Sequence, residues 1–148
     1  MVFIGTLSNE IPPCATVRQP RRQALICGVV GVLEERKNQR FLLDCWRQSE
    51  RPPSLRFYGT GPDEAALRLQ AHGLPVEFMG WWLSEVIWPE IDLLLFPSRH
   101  EGMPNAILEA IACGVPVLAS DIAPHREIFG EENRLPLLSL IHISQGIV

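Results

Sequence analysis

Two carboxylates, eight positions apart, mark the stretch from Pro97 to Gly114, PSRHEGMPNAILEAIACG. Glu101 lies in a segment rich in glycine and proline, and Glu109 follows it. A helix is predicted to begin near Pro104, because the fixed φ of proline suits the first helical position and its missing N–H would be unpaired there. Gly114 is typical of the position just past a helix end. Glu109 then falls in the second turn of an apolar helix, so a simple solvated position is not expected for it.

The start of this predicted helix is suited to binding an anion. Its first N–H groups have no partner within the helix, and the helix dipole favours negative charge there. A loop acid, the amides of the helix start and an acid further along could bind a sugar, a diphosphate and a ribose in line. The alternative interpretation makes Glu101 a surface acid and Glu109 a solvated helix residue. The apolar neighbours of Glu109 and the Gly-Pro punctuation favour the binding site.

The stretch EGMPNAILEAIACGVPVLASD, which contains both acids, resembles the E-x7-E signature of retaining glycosyltransferases of family four, whose fold is GT-B. The resemblance extends from about Ala24 to Phe129. It implies that the chain is the C-terminal, donor-binding half of such an enzyme. The donor would be a nucleotide-diphosphate sugar, and neither a metal nor another cofactor is expected. Catalysis would consist mainly of positioning the donor and stabilising a departing diphosphate.

At the nucleotide end of the donor, the resemblance assigns roles to four residues of this sequence. Glu109 would bind the ribose hydroxyls, and Lys37 would bind the diphosphate. The backbone amides of Asn105 and Ala106 would also meet the phosphates.

At the sugar end, the resemblance makes Glu101 the catalytic residue. Its carboxylate, together with the amides of Gly102 and Met103, would hold the sugar hydroxyls. His100, which precedes Glu101, would contact either the ligand or solvent.

The loop after the first predicted strand, VGVLEERKNQ, departs from the family pattern at one position. The family carries an arginine and a lysine here to hold the diphosphate. Lys37 matches the lysine, whereas Val32 occupies the arginine position, and Arg36 offers a charge from the position next to Lys37. Lys37 is predicted at the start of a helix, where a cation is unfavourable by ~0.3–1 kcal/mol unless a phosphate lies between the two. The alternative is a solvated lysine.

Five predicted strands alternate with five predicted helices. The run QALICGVVG is continuously apolar, which is typical of a strand buried on both faces. The predicted strands are Gln23–Gly31, Ser54–Tyr58, Val76–Met79, Ile91–Pro97 and Pro116–Ser120. The predicted helices are Lys37–Ser49, Asp63–Ala71, Leu83–Glu90, Pro104–Cys113 and Pro124–Phe129. This alternation indicates βαβ units in a Rossmann-like, doubly wound parallel sheet, one half of a GT-B fold.

The usual strand order of such a sheet brings two functional loops together. In that order the first and fourth strands flank the crevice at their carboxyl ends, where ligands bind. The loops at those ends are residues 31–37 and 98–104, and each carries charged or polar side chains. The turn Gly59–Pro62 follows the second strand, and a tight βα turn explains its glycines. It is not a Walker loop, because no Gly-Lys-Ser/Thr follows.

Aromatic and imidazole side chains near these loops have open roles. Trp81 and Trp82 end the third strand, and either could stack on a nucleobase or pack as a core or interdomain aromatic. His125 and Arg126 lie on the last short helix and are predicted to face solvent.

Composition excludes several classes of function. The formal net charge of -4 argues against a nucleic-acid binder, despite the short basic cluster Arg18–Arg22. No apolar run reaches the ~18 residues of a membrane span. The four cysteines, Cys14, Cys27, Cys45 and Cys113, have no C-x-x-C spacing, which predicts buried free thiols in a cytoplasmic protein rather than zinc ligands or disulfides.

The predicted domain organisation has three parts. Residues 1–22 are expected to be a linker or a remnant of an upstream domain, residues 23–130 the nucleotide-sugar-binding domain, and residues 131–148 an irregular, non-native tail. The acceptor, a glycan or a lipid-linked molecule, would bind through an N-terminal half, and the full enzyme could associate peripherally with a membrane. This chain alone is expected to transfer no sugar. The alternatives are half of a nucleotide-sugar epimerase or a non-catalytic nucleotide-sugar-binding module.

Overall fold

Five strands form one parallel sheet in the part of the chain that the computed structural model describes, residues 25–129. The predicted linker and tail, with Cys14, lie outside the described residues. The strands are β1 (Ile26–Val30), β2 (Ser54–Tyr58), β3 (Val76–Gly80), β4 (Leu93–Phe96) and β5 (Val117–Ala119). The helices are α1 (Gln39–Gln48), α2 (Glu64–Gln70), α3 (Ser84–Glu90), α4 (Asn105–Ala112) and α5 (Ala123–Phe129). No helix among residues 25–129 has the length and apolar character of a membrane span.

The strand order is β3-β2-β1-β4-β5, with all neighbours parallel. After β3 the chain returns across the sheet to place β4 beside β1, and the order then continues outward to β5. The predicted α/β, Rossmann-like, doubly wound sheet is therefore confirmed. So is the expectation that β1 and β4 are neighbours, which puts the loops after them side by side.

The core lies on both faces of the sheet. Alternate strand residues face opposite sides, so Cys27 and Leu95 pack in one cluster with Trp46 of α1. Phe96 packs in the other cluster, with Trp88 of α3. Apolar residues are needed on both faces because helices cover each side, which explains the unbroken apolar runs in the sequence.

The first helix begins later than predicted. Residues Glu35–Lys37 form a single 3₁₀ turn, Asn38 adopts a left-handed conformation with φ 57°, and α1 starts only at Gln39. The side-chain amide of Asn38 donates a hydrogen bond to the carbonyl of Pro97, 3.2 Å away. The prediction of a helix from Lys37 was therefore wrong by two residues, because a tertiary contact with the end of β4 fixes Asn38 outside the helix.

Both ends of α4 agree with the prediction. Asn105 is its first residue, directly after Pro104. Gly114 has φ 67°, and its N–H donates to Ile111 O at 3.0 Å while the next N–H, of Val115, donates to Ala110 O at 2.8 Å. This pair of bonds is the Schellman arrangement, which satisfies helix carbonyls through a left-handed residue, usually glycine.

The buried thiols also agree with the prediction. Cys27, Cys45 and Cys113 are buried, and Cys27 and Cys45 are free thiols. Burial, with a smaller contribution from Asp92, raises the pKa of Cys27 to about 12, so this thiol stays protonated.

The turn after β2 packs directly on the loop after β1. Leu33 N–H donates to Thr60 O at 3.0 Å, and Asp63 N–H donates to Leu33 O at 3.0 Å. A Cβ at Gly61 would overlap the backbone of Leu33. Close backbone contact thus explains Gly61, in agreement with the prediction that the glycines of this segment form a tight βα turn.

We predict that Gly61→Ala lowers the free energy of unfolding by roughly 1–3 kcal/mol, because the added methyl must displace the Leu33 backbone. Urea denaturation of the purified chain measures this change. Gly102→Ala is the matched control, since a Cβ there meets nothing within 4 Å, and it should change stability by less than ~0.5 kcal/mol. Equal stabilities of the two variants would contradict the packing argument.

Candidate functional site

An ion pair joins the loops that follow β1 and β4. Lys37 Nζ donates to Glu101 Oε1 at 2.6 Å, and a guanidinium nitrogen of Arg36 lies 3.7 Å from Glu101 Oε2. The backbone joins as well, because Arg99 N–H donates to Arg36 O at 2.9 Å. The structure thus brings together two residues, Lys37 and Glu101, that are 64 positions apart in the sequence.

This ion pair is shielded from water. The side chain of Glu101 is 4% exposed and that of Lys37 is 14% exposed. Below the pair lies Phe96, whose ring centroid is 5.1 Å from Lys37 Nζ. An ammonium over an aromatic face is attracted by the ring quadrupole. The lysine is therefore held by a carboxylate and a ring, and the alternative of a solvated lysine does not describe it.

Arg36 brings a second cation to the same place. Its side chain is half exposed, and it pairs with Glu34 as well as approaching Glu101. Val32 is 45% exposed and supplies no charge. The carbonyl of Val32 accepts a hydrogen bond from the side-chain amide of Gln39 at 2.8 Å. The loop therefore presents its positive charge from the 3₁₀ turn and not from position 32.

The start of α4 lies next to the ion pair along the chain. Gly102 and Met103 are exposed, and Asn105 N–H donates to Met103 O at 3.0 Å. In the described part of the chain, Ala106 N–H donates to no backbone carbonyl. Of the two predicted phosphate-binding amides, the Ala106 amide is thus available, whereas the Asn105 amide already has a partner.

Glu109 lies further along α4 and is half buried. Its carboxylate has no hydrogen bond or ion pair with any of residues 25–129, so it can accept hydrogen bonds from a ligand.

The two tryptophans after β3 differ in how they are held. Trp82 Nε1 donates to Met79 O at 2.8 Å, and its ring meets Tyr58 edge-on at 6.0 Å between centroids. Trp81 is 77% exposed. An exposed ring can stack on a planar ligand, and Trp81 exposes more of its side chain for that role than Trp82 does. His100 is exposed beside the ion pair.

His125 does not face solvent, so that prediction was wrong. Its side chain is buried, with the residue 2% exposed, and its ring meets Phe96 edge-on at 5.4 Å between centroids. The ring nitrogen Nδ1 donates to Ser120 O at 2.8 Å. A polar residue on a short terminal helix resembles a surface residue in the sequence, and only the packing of α5 against β4 buries it. Arg126 is exposed, as predicted, and forms an ion pair with Asp121.

Several polar residues that position the loops were not singled out from the sequence. Gln39 is 2% exposed and holds the Val32 carbonyl, and Asn38 holds the Pro97 carbonyl. Ser120 Oγ donates to the carbonyl of Ser98, at the end of β4. None of these residues has a sequence signal beyond its polarity, because each acts on a backbone carbonyl brought near by the fold.

The arrangement combines a shielded carboxylate, two cations and an open helix start. Such a site can accept hydrogen bonds from hydroxyl groups at one end and stabilise phosphate charge at the other. Within residues 25–129, no group of three or more His, Cys, Asp and Glu side chains is placed to hold a metal ion.

Comparison with known proteins gives a family match across most of the chain. The model of the family described as Glycosyl transferases group 1 matches residues 24–139. A GDP-mannose-dependent alpha-(1-6)-phosphatidylinositol dimannoside mannosyltransferase of Mycobacterium tuberculosis is 31% identical over 124 residues, covering 78% of this chain and 32% of that protein. The chain spans 27% to 32% of the length of the first curated relatives that it matches.

Solved structures resemble this fold. The catalytic domain of cholesterol-alpha-glucosyltransferase from Helicobacter pylori is 28% identical with a TM-score of 0.59, covering 68% of this chain and 66% of that one. Anabaena HepE in complex with UDP-glucose is 23% identical with a TM-score of 0.64, covering 71% of this chain and 32% of that one. At that identity, the second likeness shows the fold alone.

We predict that Lys37→Met lowers the free energy of unfolding by roughly 3 kcal/mol, because among residues 25–129 it leaves the shielded Glu101 carboxylate with the more distant Arg36 as its cation. The double variant Lys37→Met/Glu101→Gln should lose less than Lys37→Met alone, since it removes the stranded charge. Chemical denaturation at neutral pH measures both.

The control for this pair is Arg68→Met. Arg68 forms an exposed ion pair with Glu64 at 2.8 Å, of the kind that contributes ~0.3–0.5 kcal/mol. Its guanidinium also lies 4.5 Å from the centroid of the Phe78 ring, so it matches the aromatic contact of Lys37, which is worth ~0.5–1 kcal/mol at an exposed site. If Lys37→Met lowers the free energy of unfolding no more than Arg68→Met does, the Lys37–Glu101 pair behaves as an exposed pair in solution. That result would contradict the prediction that shielding makes the loss large.

Proposed function

Because the chain belongs to the group 1 family of glycosyl transferases, we propose that it binds the donor of a retaining family-four enzyme, a nucleotide-diphosphate sugar. In this proposal the chain is the C-terminal half of a GT-B enzyme, and the two acids of α4 and its preceding loop are the E-x7-E motif. One observation carries the proposal. The Lys37–Glu101 pair lies where β1 and β4 end side by side, directly before the start of α4.

The sugar is proposed to bind at Glu101. A carboxylate only accepts hydrogen bonds, so it suits the several hydroxyl donors of a hexose. Gly102 and Met103 are exposed, which leaves their backbone accessible to the same ligand. Glu101 would thus orient the sugar ring and its anomeric carbon, and it is the catalytic residue of the proposal.

The diphosphate is proposed to bind between the 3₁₀ turn and the start of α4. Lys37 and Arg36 supply two positive charges, and the available Ala106 amide supplies a donor at the positive end of the helix dipole. The Asn105 amide would join them by exchanging its bond with Met103 O for one with a phosphate oxygen. Arg36 would supply the positive charge that the arginine of the family pattern supplies from the position where this chain has Val32.

The nucleoside is proposed to bind beyond the diphosphate. Glu109, whose carboxylate has no partner among the described residues, would accept the two ribose hydroxyls. The exposed face of Trp81 would stack on the base.

Transfer breaks the bond between the anomeric carbon and the diphosphate oxygen, and the oxygen of an acceptor hydroxyl bonds to that carbon with the same anomeric configuration. The proton of that hydroxyl goes to the leaving diphosphate. Negative charge grows on the leaving diphosphate as the bond breaks. Lys37 and Arg36 would stabilise that charge from fixed positions, which is the larger part of the catalysis assigned here. The proposal includes no metal or other cofactor.

The acceptor belongs to the whole enzyme in this proposal. The chain spans 27% to 32% of its first curated relatives, so the acceptor site and turnover are assigned to further parts of a longer protein. This chain alone would bind the donor without transferring sugar. A glycan or lipid-linked acceptor is supported by a relative named for a phosphatidylinositol dimannoside.

We predict that Glu109→Gln weakens binding of the nucleoside diphosphate by about 10- to 100-fold, because hydrogen bonds to a charged acceptor are worth ~1.5–3 kcal/mol. Calorimetric titration of the chain with UDP and GDP measures this. These two nucleotides are chosen because one similar structure holds UDP-glucose and one relative is named as GDP-mannose-dependent. Glu85→Gln, at an exposed acid of α3, is the control and should bind as the parent does. A parent chain that binds neither nucleotide would overturn the proposed function.

We predict a different result for Glu101→Ala, because this residue is assigned to the sugar alone. Affinity for UDP-glucose or GDP-mannose should fall at least tenfold, whereas affinity for the matching nucleoside diphosphate should change less than threefold. The same calorimetry compares the two ligands on one protein preparation. Equal losses for both would mean that Glu101 acts on the diphosphate, through Lys37, and that its assignment to the sugar is wrong.

A further inference from the structure

A buried histidine lies behind the proposed sugar site and has no part in the function described so far. His125 is 2% exposed, and its Nδ1 is 2.8 Å from Ser120 O. Because a carbonyl oxygen only accepts hydrogen bonds, Nδ1 must carry the proton. Burial lowers the pKa of His125, so the neutral ring with its proton on Nδ1 is the form present at neutral pH.

His125 is connected to the Glu101 loop through Ser120. The backbone N–H of Ser120 donates to Phe96 O at 3.0 Å, and its Oγ donates to Ser98 O. Ser98 is buried and stands three residues before Glu101. The loop that carries Glu101 is thus hydrogen-bonded, where it leaves β4, to Ser120 at the end of β5. His125 in turn donates a hydrogen bond to the carbonyl of Ser120.

A second set of contacts leads from His125 to the cation. The ring of His125 meets Phe96 edge-on, at 69° between planes, and the face of Phe96 carries the Lys37 ammonium at 5.1 Å. Besides burial, which lowers the pKa of His125, the charge of Glu101 raises that pKa and the charge of Lys37 lowers it. Two independent contacts therefore converge on the Lys37–Glu101 pair from one side chain.

We infer that His125 is a positioning residue, which holds the Glu101 carboxylate in register with the sugar through Ser120 and the Ser98 carbonyl. The inference rests on the proposed function, because it assumes that Glu101 binds the sugar. The loop from Ser98 to Glu101 has no regular structure, so tertiary contacts hold it, among them the bond from Ser120 Oγ to Ser98 O and the bond from Arg99 N–H to Arg36 O. A misplacement of about 1 Å is enough to lose much of an oriented contact.

Three variants of the chain test the inference. His125→Phe keeps an aromatic ring against Phe96 and removes the Nδ1 donor. His125→Asn keeps a donor at a similar distance from the backbone, and its amide can replace the bond to Ser120 O. Ser120→Ala removes only the hydroxyl that donates to Ser98 O. His72→Asn, at an exposed histidine, is the control.

Calorimetry with UDP, UDP-glucose, GDP and GDP-mannose gives the preference of each variant for the sugar-bearing ligand. We expect His125→Phe and Ser120→Ala to weaken nucleotide-sugar binding at least fivefold while nucleoside diphosphate binding stays within twofold. His125→Asn and His72→Asn should stay within twofold of the parent for both ligands. If His125→Phe does not fold, Ser120→Ala carries the same comparison.

The inference is overturned if His125→Phe and Ser120→Ala keep the parent preference, or if they weaken both ligands equally, as a general loss of structure would. It is also overturned if His125→Asn fails to restore binding. In each of these cases the proposed function stands if the parent chain binds a nucleoside diphosphate and prefers the matching nucleotide sugar to it. A parent that binds none of the four ligands overturns the proposed function and the inference together.

Discussion

The contact between Lys37 and Glu101 depends on one feature of topology, the reversal of strand order that makes β1 and β4 neighbours. No local structure could bring residues 64 positions apart to 2.6 Å. A shielded ion pair is also a weak reason for stability, since desolvation of two charges offsets much of their attraction. The pair lies at the carboxyl edge, where sheets of this type bind ligands, and this placement supports the proposed recognition of a charged and hydroxyl-rich molecule.

Much of the fold was predictable because its signals are local. Apolar runs of four or five residues, separated by helical patterns, predict buried parallel strands, and the two ends of α4 follow from Pro104 and Gly114 alone. The expectation that Glu101 and Lys37 share a site needed one further step, the usual strand order, and the observed order confirms that step. The roles of these residues toward a donor came from family resemblance and stay predictions.

The features that sequence reasoning missed all depend on tertiary contacts. Asn38 ends a turn in a left-handed conformation because the Pro97 carbonyl is within reach of its side chain. His125 is buried because its ring packs against Phe96 and bonds to the carbonyl of Ser120, and these two residues lie at the ends of neighbouring strands. A polar residue on the last short helix of the alternating pattern is predicted to lie at the surface. The packing of that helix on the sheet instead buries His125 behind Phe96.

The later start of α1 also bears on Val32, which lies where the resemblance leads one to expect an arginine. Had α1 begun at Lys37, its unpaired amides would have opposed the ammonium, and Arg36 would have shared that penalty. Instead Asn38 separates the turn from the helix, so both cations belong to the end of the 3₁₀ turn rather than to the first turn of α1, and both approach one carboxylate. The bond from Asn38 to Pro97 O fixes this turn to the end of β4. The turn itself, and not position 32, therefore concentrates positive charge where the proposed diphosphate lies.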